Sequence, residues 1–145
     1  MGELANQFNA EVEAMGEHPA AHIIGSLTLI AKENQQPAIA AAIALALERR
    51  VETAKPKCLL PIYYLLDSLL KNVGTVYRTL LAPRAAALFE VAYARVPSAA
   101  RAKLHRLALL WQDAGLLSPQ FWTACLLLRL TPRLPSLERR LLPPQ

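Results

Sequence analysis

Four polar side chains interrupt a leucine-rich stretch of this chain at helical spacing: Tyr64, Asp67, Lys71 and Asn72. Asp67 lies three residues after Tyr64 and four before Lys71, so these three side chains share one face of a helix. A carboxylate accepts hydrogen bonds, an ammonium group donates them, and an amide does both. Because leucines dominate the surrounding residues 60–74, we expect a largely buried helix with one polar strip open to a groove. Tyr63 and Tyr64 cannot both face that groove, so at least one of them belongs to the core.

No catalytic motif accompanies this strip. The sequence contains no glycine-rich phosphate loop and no GxSxG, HExxH or CxxC pattern. Of the three histidines, His18 and His22 are four residues apart, but no cysteine or carboxylate cluster completes a metal site. The sequence therefore predicts a binding module and not an enzyme, with no cofactor and no metal.

Composition and charge favour an all-α domain with acidic partners. The 145 residues suffice for one domain, and leucine and alanine outnumber the β-branched and aromatic residues. The formal net charge of +5 favours acidic ligands. The longest apolar run, 38–47, is too short to span a bilayer, so it predicts a buried core helix and no membrane partner. Cys58 and Cys125 lie in apolar helical contexts, which predicts free thiols.

Prolines and glycines divide the chain into about eight amphipathic helices joined by short connections. No strand pattern and no fixed-period repeat is present, which predicts a compact all-α domain or a superhelical stack of helix pairs. The domain is expected to cover 1–130, and 131–145 is a tail or linker rich in proline, arginine and leucine. The predicted helices are 4–15, 19–34, 37–51, 56–74, 76–81, 84–96, 97–113 and 120–130.

The segment 57–74 resembles the fourth helix of the CTD-interacting domain (CID), a family that binds the heptad-repeat C-terminal tail of RNA polymerase II. Its string Tyr-x-x-Asp-Ser-x-x-Lys-Asn-Val-Gly is most similar to the version in the pre-mRNA cleavage-factor subunit that couples 3′-end processing to termination. Two further segments agree with this resemblance, which covers roughly residues 4–130. Leu-Thr-Leu-Ile-Ala-Lys-Glu-Asn at 27–34 resembles the end of the family's second helix, and 104–111 its seventh helix, which ends in tryptophan.

The resemblance implies a right-handed superhelix of eight helices whose second, fourth and seventh helices form a peptide groove. It implies that Asp67 accepts a hydrogen bond from the tail peptide, with Tyr64, Lys71 and Asn72 beside it. It also assigns Leu107 and Leu110 to the apolar part of the groove. Arg106, five residues before Trp111, matches the position that reads a phosphate on the second-position serine in some members. The same spacing also fits an ordinary ion pair of Asp67 with Lys71, and Trp111 and Trp122 fit the core better than a ligand platform.

The expected partner is therefore the phosphorylated polymerase tail, bound by a monomeric domain in the nucleus, with other 3′-end processing factors and, secondarily, RNA as further partners. One segment departs from the family pattern. The second helix of the family commonly begins with an Asn-Ser-Lys/Arg-Pro cap, whereas this chain has Pro-Ala-Ala-His at 19–22. Two alternatives remain at this point. One is a trafficking adaptor of the VHS/ENTH type that binds sorting peptides or phosphoinositides, although the acidic first helix does not favour lipid. The other is a helical scaffold without a ligand.

Overall fold

The computed structural model describes residues 2–18, 20–81 and 85–115. Seven α-helices and no strand lie in these ranges. The predicted helix at 120–130, the tail at 131–145, Trp122 and Cys125 lie outside the described residues. The helices are α1 (Gly2–Met15), α2 (Ala21–Glu33), α3 (Pro37–Thr53), α4 (Leu59–Ser68), α5 (Thr75–Leu81), α6 (Ala85–Arg95) and α7 (Ser98–Asp113).

The segment that the sequence predicts as one helix, 56–74, has three parts. A 3₁₀ turn, Pro56–Cys58, leads into α4, and a π-helical turn, Leu69–Val73, follows it. Pro61 causes no break because it lies in the first turn of α4, where no intrahelical donor is required of it. The segment ends at Gly74, whose φ of 86° is readily adopted only by a residue without a side chain.

The helices pack mainly against near neighbours in the chain. α1 contacts α2 and α3, α2 contacts α4, and α3 also contacts α5 and α6, while α7 packs on α4. This arrangement makes α4 the central helix, and its apolar side chains are correspondingly buried. The largest side chains of the resulting core are Tyr63, Tyr77, Phe8, Phe89, Leu27, Ile43, Leu47, Leu59, Ile62, Leu65, Leu69 and Leu104.

The third helix is amphipathic, and the prediction of a core helix over 38–47 holds for only one of its faces. Ile43 and Leu47 are buried, whereas Leu45 keeps 47% of its surface exposed. The reason is tertiary: α3 packs against α1 and α4–α6, and Leu45 lies where α1 and α3 leave an open groove between them. Alanine-rich sequence made the two faces indistinguishable by hydropathy.

Several of the scattered cations hold helix ends together. The Arg95 guanidinium donates from Nη1 to the carbonyls of Val51 at 2.9 Å and Glu52 at 3.1 Å, and from Nη2 to that of Ala54. Arg78 donates through Nε and Nη2 to the Leu70 carbonyl, each at 3.2 Å. Helix-terminal carbonyls lack intrahelical partners, so these arginines satisfy them. Part of the positive charge therefore serves the fold.

Candidate functional site

An open groove of about 530 Å³ lies between α2 and the segment formed by α4 and the π turn. Four of the predicted site residues line it together: Tyr64, Asp67, Lys71 and Asn72. Its α4 side is polar, while its α2 side presents only small or apolar side chains. The complete lining is Ala21, Ile24, Gly25, Tyr64, Asp67, Ser68, Lys71 and Asn72.

The polar strip faces the groove because the opposite face of α4 is anchored in the core. Tyr63 is buried and donates its hydroxyl to the Leu88 carbonyl at 2.6 Å, whereas Tyr64 is half-buried and lines the groove. This confirms that only one of the two tyrosines can be on the groove side. The π turn then carries Asn72 at the end of the groove, closed by an i→i+5 hydrogen bond from Gly74 N to Leu69 O of 3.0 Å. Single π turns of this kind occur frequently at functional sites.

Asp67 is held by two donors at one oxygen. Its Oδ1 accepts a hydrogen bond from Trp111 Nε1 at 2.7 Å and lies 3.1 Å from Lys71 Nζ. The Asp67 side chain is 16% exposed, so the carboxylate is largely withdrawn from water. Within the described part of the chain, Oδ2 accepts no hydrogen bond. Oδ1 is thus fixed, and Oδ2 remains able to accept a hydrogen bond from a ligand.

The contact between Trp111 and Asp67 is the functional feature that sequence reasoning missed. Trp111 is buried, as predicted, and its indole stacks on the Tyr63 ring at 6.3 Å with an interplanar angle of 18°. A buried indole N–H requires an acceptor, and an acid in the middle of an apolar helix is a natural one. The sequence could have indicated this contact only through these two needs, a buried N–H that requires an acceptor and a buried acid that requires a donor, because 44 residues separate the two positions.

A chain of three hydrogen bonds links the two walls of the groove, from Ile24 on α2 to Asn72 in the π turn. The Thr28 hydroxyl donates to Ile24 O at 2.7 Å and also lies 2.7 Å from Ser68 Oγ. Because the single Thr28 proton is used on the carbonyl, Ser68 must donate to Thr28 Oγ1. Asn72 Nδ2 then donates to Ser68 Oγ at 3.1 Å. The chain therefore has one direction, and it fixes the orientation of the Asn72 amide with its Oδ1 pointing away from Ser68.

The α7 residues assigned by the resemblance do not line this groove. Leu107 is 4% exposed and belongs to the core, because it shares the inward face of α7 with Leu104, Ala108 and Trp111. Leu107 therefore helps to pack α7 against the core and offers little surface to a ligand. Leu110 is 46% exposed, and Arg106, one turn earlier on the same face, is exposed. These two lie on the helix whose Trp111 contacts Asp67, outside the groove lining.

The start of α2 departs from the family pattern as the sequence indicates. The residue before its first turn, Ala20, makes no side-chain capping hydrogen bond. The α2 wall of the groove consists of Ala21, Ile24 and Gly25, so it contributes apolar contact and no side-chain donor. Hydrogen-bonding specificity in the groove therefore depends on the α4 side.

Two aromatic side chains away from the groove, Tyr77 and His105, have pKa values shifted by burial. Burial raises the pKa of Tyr77 to about 12. Burial also lowers the pKa of His105, whose ring stacks on Tyr93 at 4.9 Å between centroids. Arg101 lies over the other part of the same stack, 5.5 Å from the Tyr93 centroid. His105 is therefore a core-facing neutral residue and not a groove residue.

Other site classes find little support in the described ranges. No group of three or more His, Cys, Asp or Glu side chains there could hold a metal ion, and His18 and His22 are both exposed. Cys58 is a half-buried free thiol. None of the helices described is both long and apolar enough to cross a membrane.

Comparison with known proteins identifies the family. Residues 6–124 match the family model described as the CID domain. The chain belongs to the CID domain family. This family is a protein-interaction module, and the assignment confirms the resemblance seen in the helix-four string and the other two segments.

Individual relatives point to a CID of the PCF11 type. Protein PCF11 of Saccharomyces cerevisiae is 33% identical over 116 residues, which is 78% of this chain and 18% of PCF11. An uncharacterized protein of Schizosaccharomyces pombe is 39% identical over 91 residues, 63% of this chain and 14% of that protein. The chain thus spans less than a fifth of the length of these curated relatives.

A solved structure confirms the fold class. The crystal structure described as that of the RPR of PCF11 superposes with a TM-score of 0.77 at 29% identity. The match covers 83% of this chain and 93% of that one. The all-α CID fold predicted from the sequence is therefore correct, with seven helices seen in the described residues.

Proposed function

We propose that this CID binds the heptad-repeat C-terminal tail of RNA polymerase II in the α2–α4 groove. The observation that carries the proposal is the half-satisfied Asp67 carboxylate, fixed by Trp111 at one oxygen and open at the other, in a groove of a PCF11-type CID. By this proposal the domain is a binding module that links transcription to pre-mRNA 3′-end cleavage and termination.

The groove chemistry suits a peptide rich in hydroxyls and prolines. Asp67 Oδ2 accepts a hydrogen bond from a backbone N–H or hydroxyl of the peptide, and a charged acceptor makes this bond stronger than a neutral one. Asn72 Oδ1, oriented by Ser68, accepts a second. The apolar α2 wall around Ile24 accommodates a proline or tyrosine ring, and the Tyr64 ring contributes contact area from the opposite side.

Phosphate recognition is assigned to Arg106. This exposed guanidinium lies on α7 beside Leu110, so it reaches a peptide that leaves the groove toward α7. A guanidinium–phosphate contact contributes about 1–3 kcal/mol, compared with about 8 kcal/mol for micromolar binding. Lys71 is already paired with Asp67 and contributes less to phosphate binding.

The cellular setting follows from the same proposal. The domain acts as a monomer in the nucleus, on the phosphorylated polymerase tail and beside other 3′-end processing factors. RNA is a secondary partner, for which Arg101 and Lys103 on the exposed face of α7 supply positive charge. The CID family match disfavours a trafficking adaptor. Direct binding measurements distinguish a tail-binding module from a helical scaffold without a ligand.

The test is fluorescence anisotropy with a labelled two-repeat tail peptide, unmodified and phosphorylated at the second-position serines. Micromolar binding is expected for the wild type. Asp67→Ala is expected to weaken binding of both peptides, while Arg106→Ala reduces only the preference for the phosphorylated one. Glu17→Gln, at an exposed acid outside the groove, and Arg101→Ala, at another cation of α7, serve as matched controls. Absence of binding by a folded wild-type domain would refute the proposal.

A further inference from the structure

A second groove lies between α1 and α3 and shares no lining residue with the α2–α4 groove. We refer to it as the α1–α3 groove. Its volume is about 350 Å³. Its walls are Ala5, Asn6, Asn9 and Glu13 of α1 and Ala42, Leu45, Ala46, Arg49, Arg50 and Thr53 of α3.

The groove is open because small side chains stand where packed helices usually interdigitate. Ala5 on α1 and Ala42 and Ala46 on α3 leave the space between the helix axes unfilled. Leu45, which is 47% exposed, adds an apolar wall. A ligand that enters here therefore meets an apolar floor long enough for more than one side chain.

Two polar atoms of this groove's walls are buried without a hydrogen-bond partner in the described part of the chain: Asn9 Oδ1 and Arg50 Nε. Arg50 is held at its other end, where Nη1 donates to Glu13 Oε1 at 3.2 Å. One helix thus supplies an unused acceptor and the other an unused donor. A peptide group carries one N–H and one C=O, which is the complementary pair. Buried polar groups are normally paired, and both atoms belong to side chains that line the groove, so a small rotation of either side chain would offer its polar atom to a ligand.

Charge and length specify the ligand further. Arg50 is paired with Glu13, whereas Arg49 is exposed and forms no ion pair with any described residue. The wall is therefore net positive and favours an acidic side chain. The α3 wall runs from Ala42 to Thr53, which is about 16 Å at the rise of an α-helix. An extended peptide covers that distance with about five residues.

We propose that the α1–α3 groove binds a short, extended acidic segment of a partner protein, independently of the α2–α4 groove. The partner's main chain pairs with Asn9 and Arg50, an apolar side chain rests on Leu45 and the alanines, and an aspartate or glutamate faces Arg49. The domain then holds two peptides on separate surfaces.

The test is a two-dimensional ¹H–¹⁵N NMR titration with the blocked peptide acetyl-Ala-Leu-Asp-Leu-Ala-amide and with its counterpart carrying Lys in place of Asp. The acidic peptide is expected to shift the amides of Ala42, Leu45 and Ala46 and the side-chain amide of Asn9. It should bind at least about threefold more tightly than the lysine peptide, the size of one exposed ion pair. Arg49→Gln should remove that difference.

Ala46→Phe, which fills the groove without removing a polar group, is expected to abolish the shifts. Ala41→Phe, at an exposed position of the same helix outside the groove, should retain them. Both variants should bind the polymerase-tail peptide as the wild type does, so failure of this proposal is distinct from failure of the proposed function. No shift at millimolar peptide, equal binding of the two peptides, or shifts that persist in Ala46→Phe would overturn the proposal.

Discussion

The indole N–H of Trp111 donates to Asp67 Oδ1 over 2.7 Å and so connects α7 to the groove face of α4. The indole is itself buried and stacked on Tyr63, which leaves it little freedom to move. Asp67 therefore receives its orientation from the core and not from its own helix alone. This relationship makes the core tryptophan part of the proposed binding site without exposing it.

Trp111→Phe is expected to weaken both the fold and ligand binding. Phenylalanine keeps an aromatic ring in the core but removes the N–H, leaving Asp67 Oδ1 with Lys71 as its remaining donor. We expect a loss of about 1–3 kcal/mol in the free energy of unfolding in urea. Affinity for the tail peptide should fall in the same variant, measured by anisotropy.

A double-mutant cycle of Trp111→Phe with Asp67→Ala isolates the hydrogen bond from the packing of the indole. Once Asp67 is removed, Trp111→Phe should have little further effect on affinity. Fully additive losses of affinity would show that Trp111 acts through packing alone.

Ser68→Ala is expected to lower affinity more than stability. The substitution removes the acceptor for Asn72 Nδ2 and the donor to Thr28, so the Asn72 amide is no longer held in one orientation. The free energy of unfolding should fall by about 1 kcal/mol, the usual net value of a hydrogen bond. Thr28→Val should have a similar effect on stability, and the double variant should lose less than the sum, since the two side chains share one bond. Ser26→Ala, at an exposed serine of α2, is the control. If Ser68→Ala lowers affinity no more than Ser26→Ala does, the hydrogen-bond chain has no role in binding.

Acidification is expected to destabilise the domain through His105. Burial lowers the pKa of His105 in the folded state, so the unfolded chain binds a proton first as the pH falls below about 6.5. The contribution of neutral His105 to stability is therefore fully present above pH 6.5 and is lost as the pH falls toward the folded-state pKa.

The measurement is urea unfolding at several pH values between 8 and 5. In His105→Gln the part of the pH dependence that belongs to this site should disappear. An unchanged slope in that variant would assign the acid sensitivity to other groups.

Arg95→Met is expected to be among the most destabilising single changes at a cation. It leaves the carbonyls of Val51, Glu52 and Ala54 without their side-chain donor where α3 ends. We expect a loss of about 2–4 kcal/mol in the free energy of unfolding. Arg95→Lys should restore only part of it, because an ammonium group cannot reproduce the fork of the guanidinium. Arg49→Ala, at an exposed arginine of α3, should change stability by less than about 0.5 kcal/mol.

Much of the fold was predictable because helix signals are local. Prolines at the starts of helices, glycines after their ends and the 3.6-residue period gave six helices within two residues of their observed bounds, and the fourth as one segment that the structure divides into a 3₁₀ turn, α4 and a π turn. The π turn at Leu69–Val73 was not predictable, because an extra residue in a helical turn leaves no mark in hydropathy. The burial of α3 was overestimated for a related reason: an alanine-rich helix does not specify how many of its faces have neighbours.

Within the site, the sequence by itself determined most of the polar strip, because Tyr64, Asp67 and Lys71 are three and four residues apart and helical spacing gives them a common face, while the π turn brings Asn72 beside them. Only the tertiary structure decided what lies behind and beside that strip. The partners of Asp67 and Ser68 are Trp111 and Thr28, 44 and 40 residues away, and no local rule links such positions. Likewise Leu107 and Leu110 are equally apolar in sequence, and the packing of α7 on α4 alone placed one in the core and left the other in solvent.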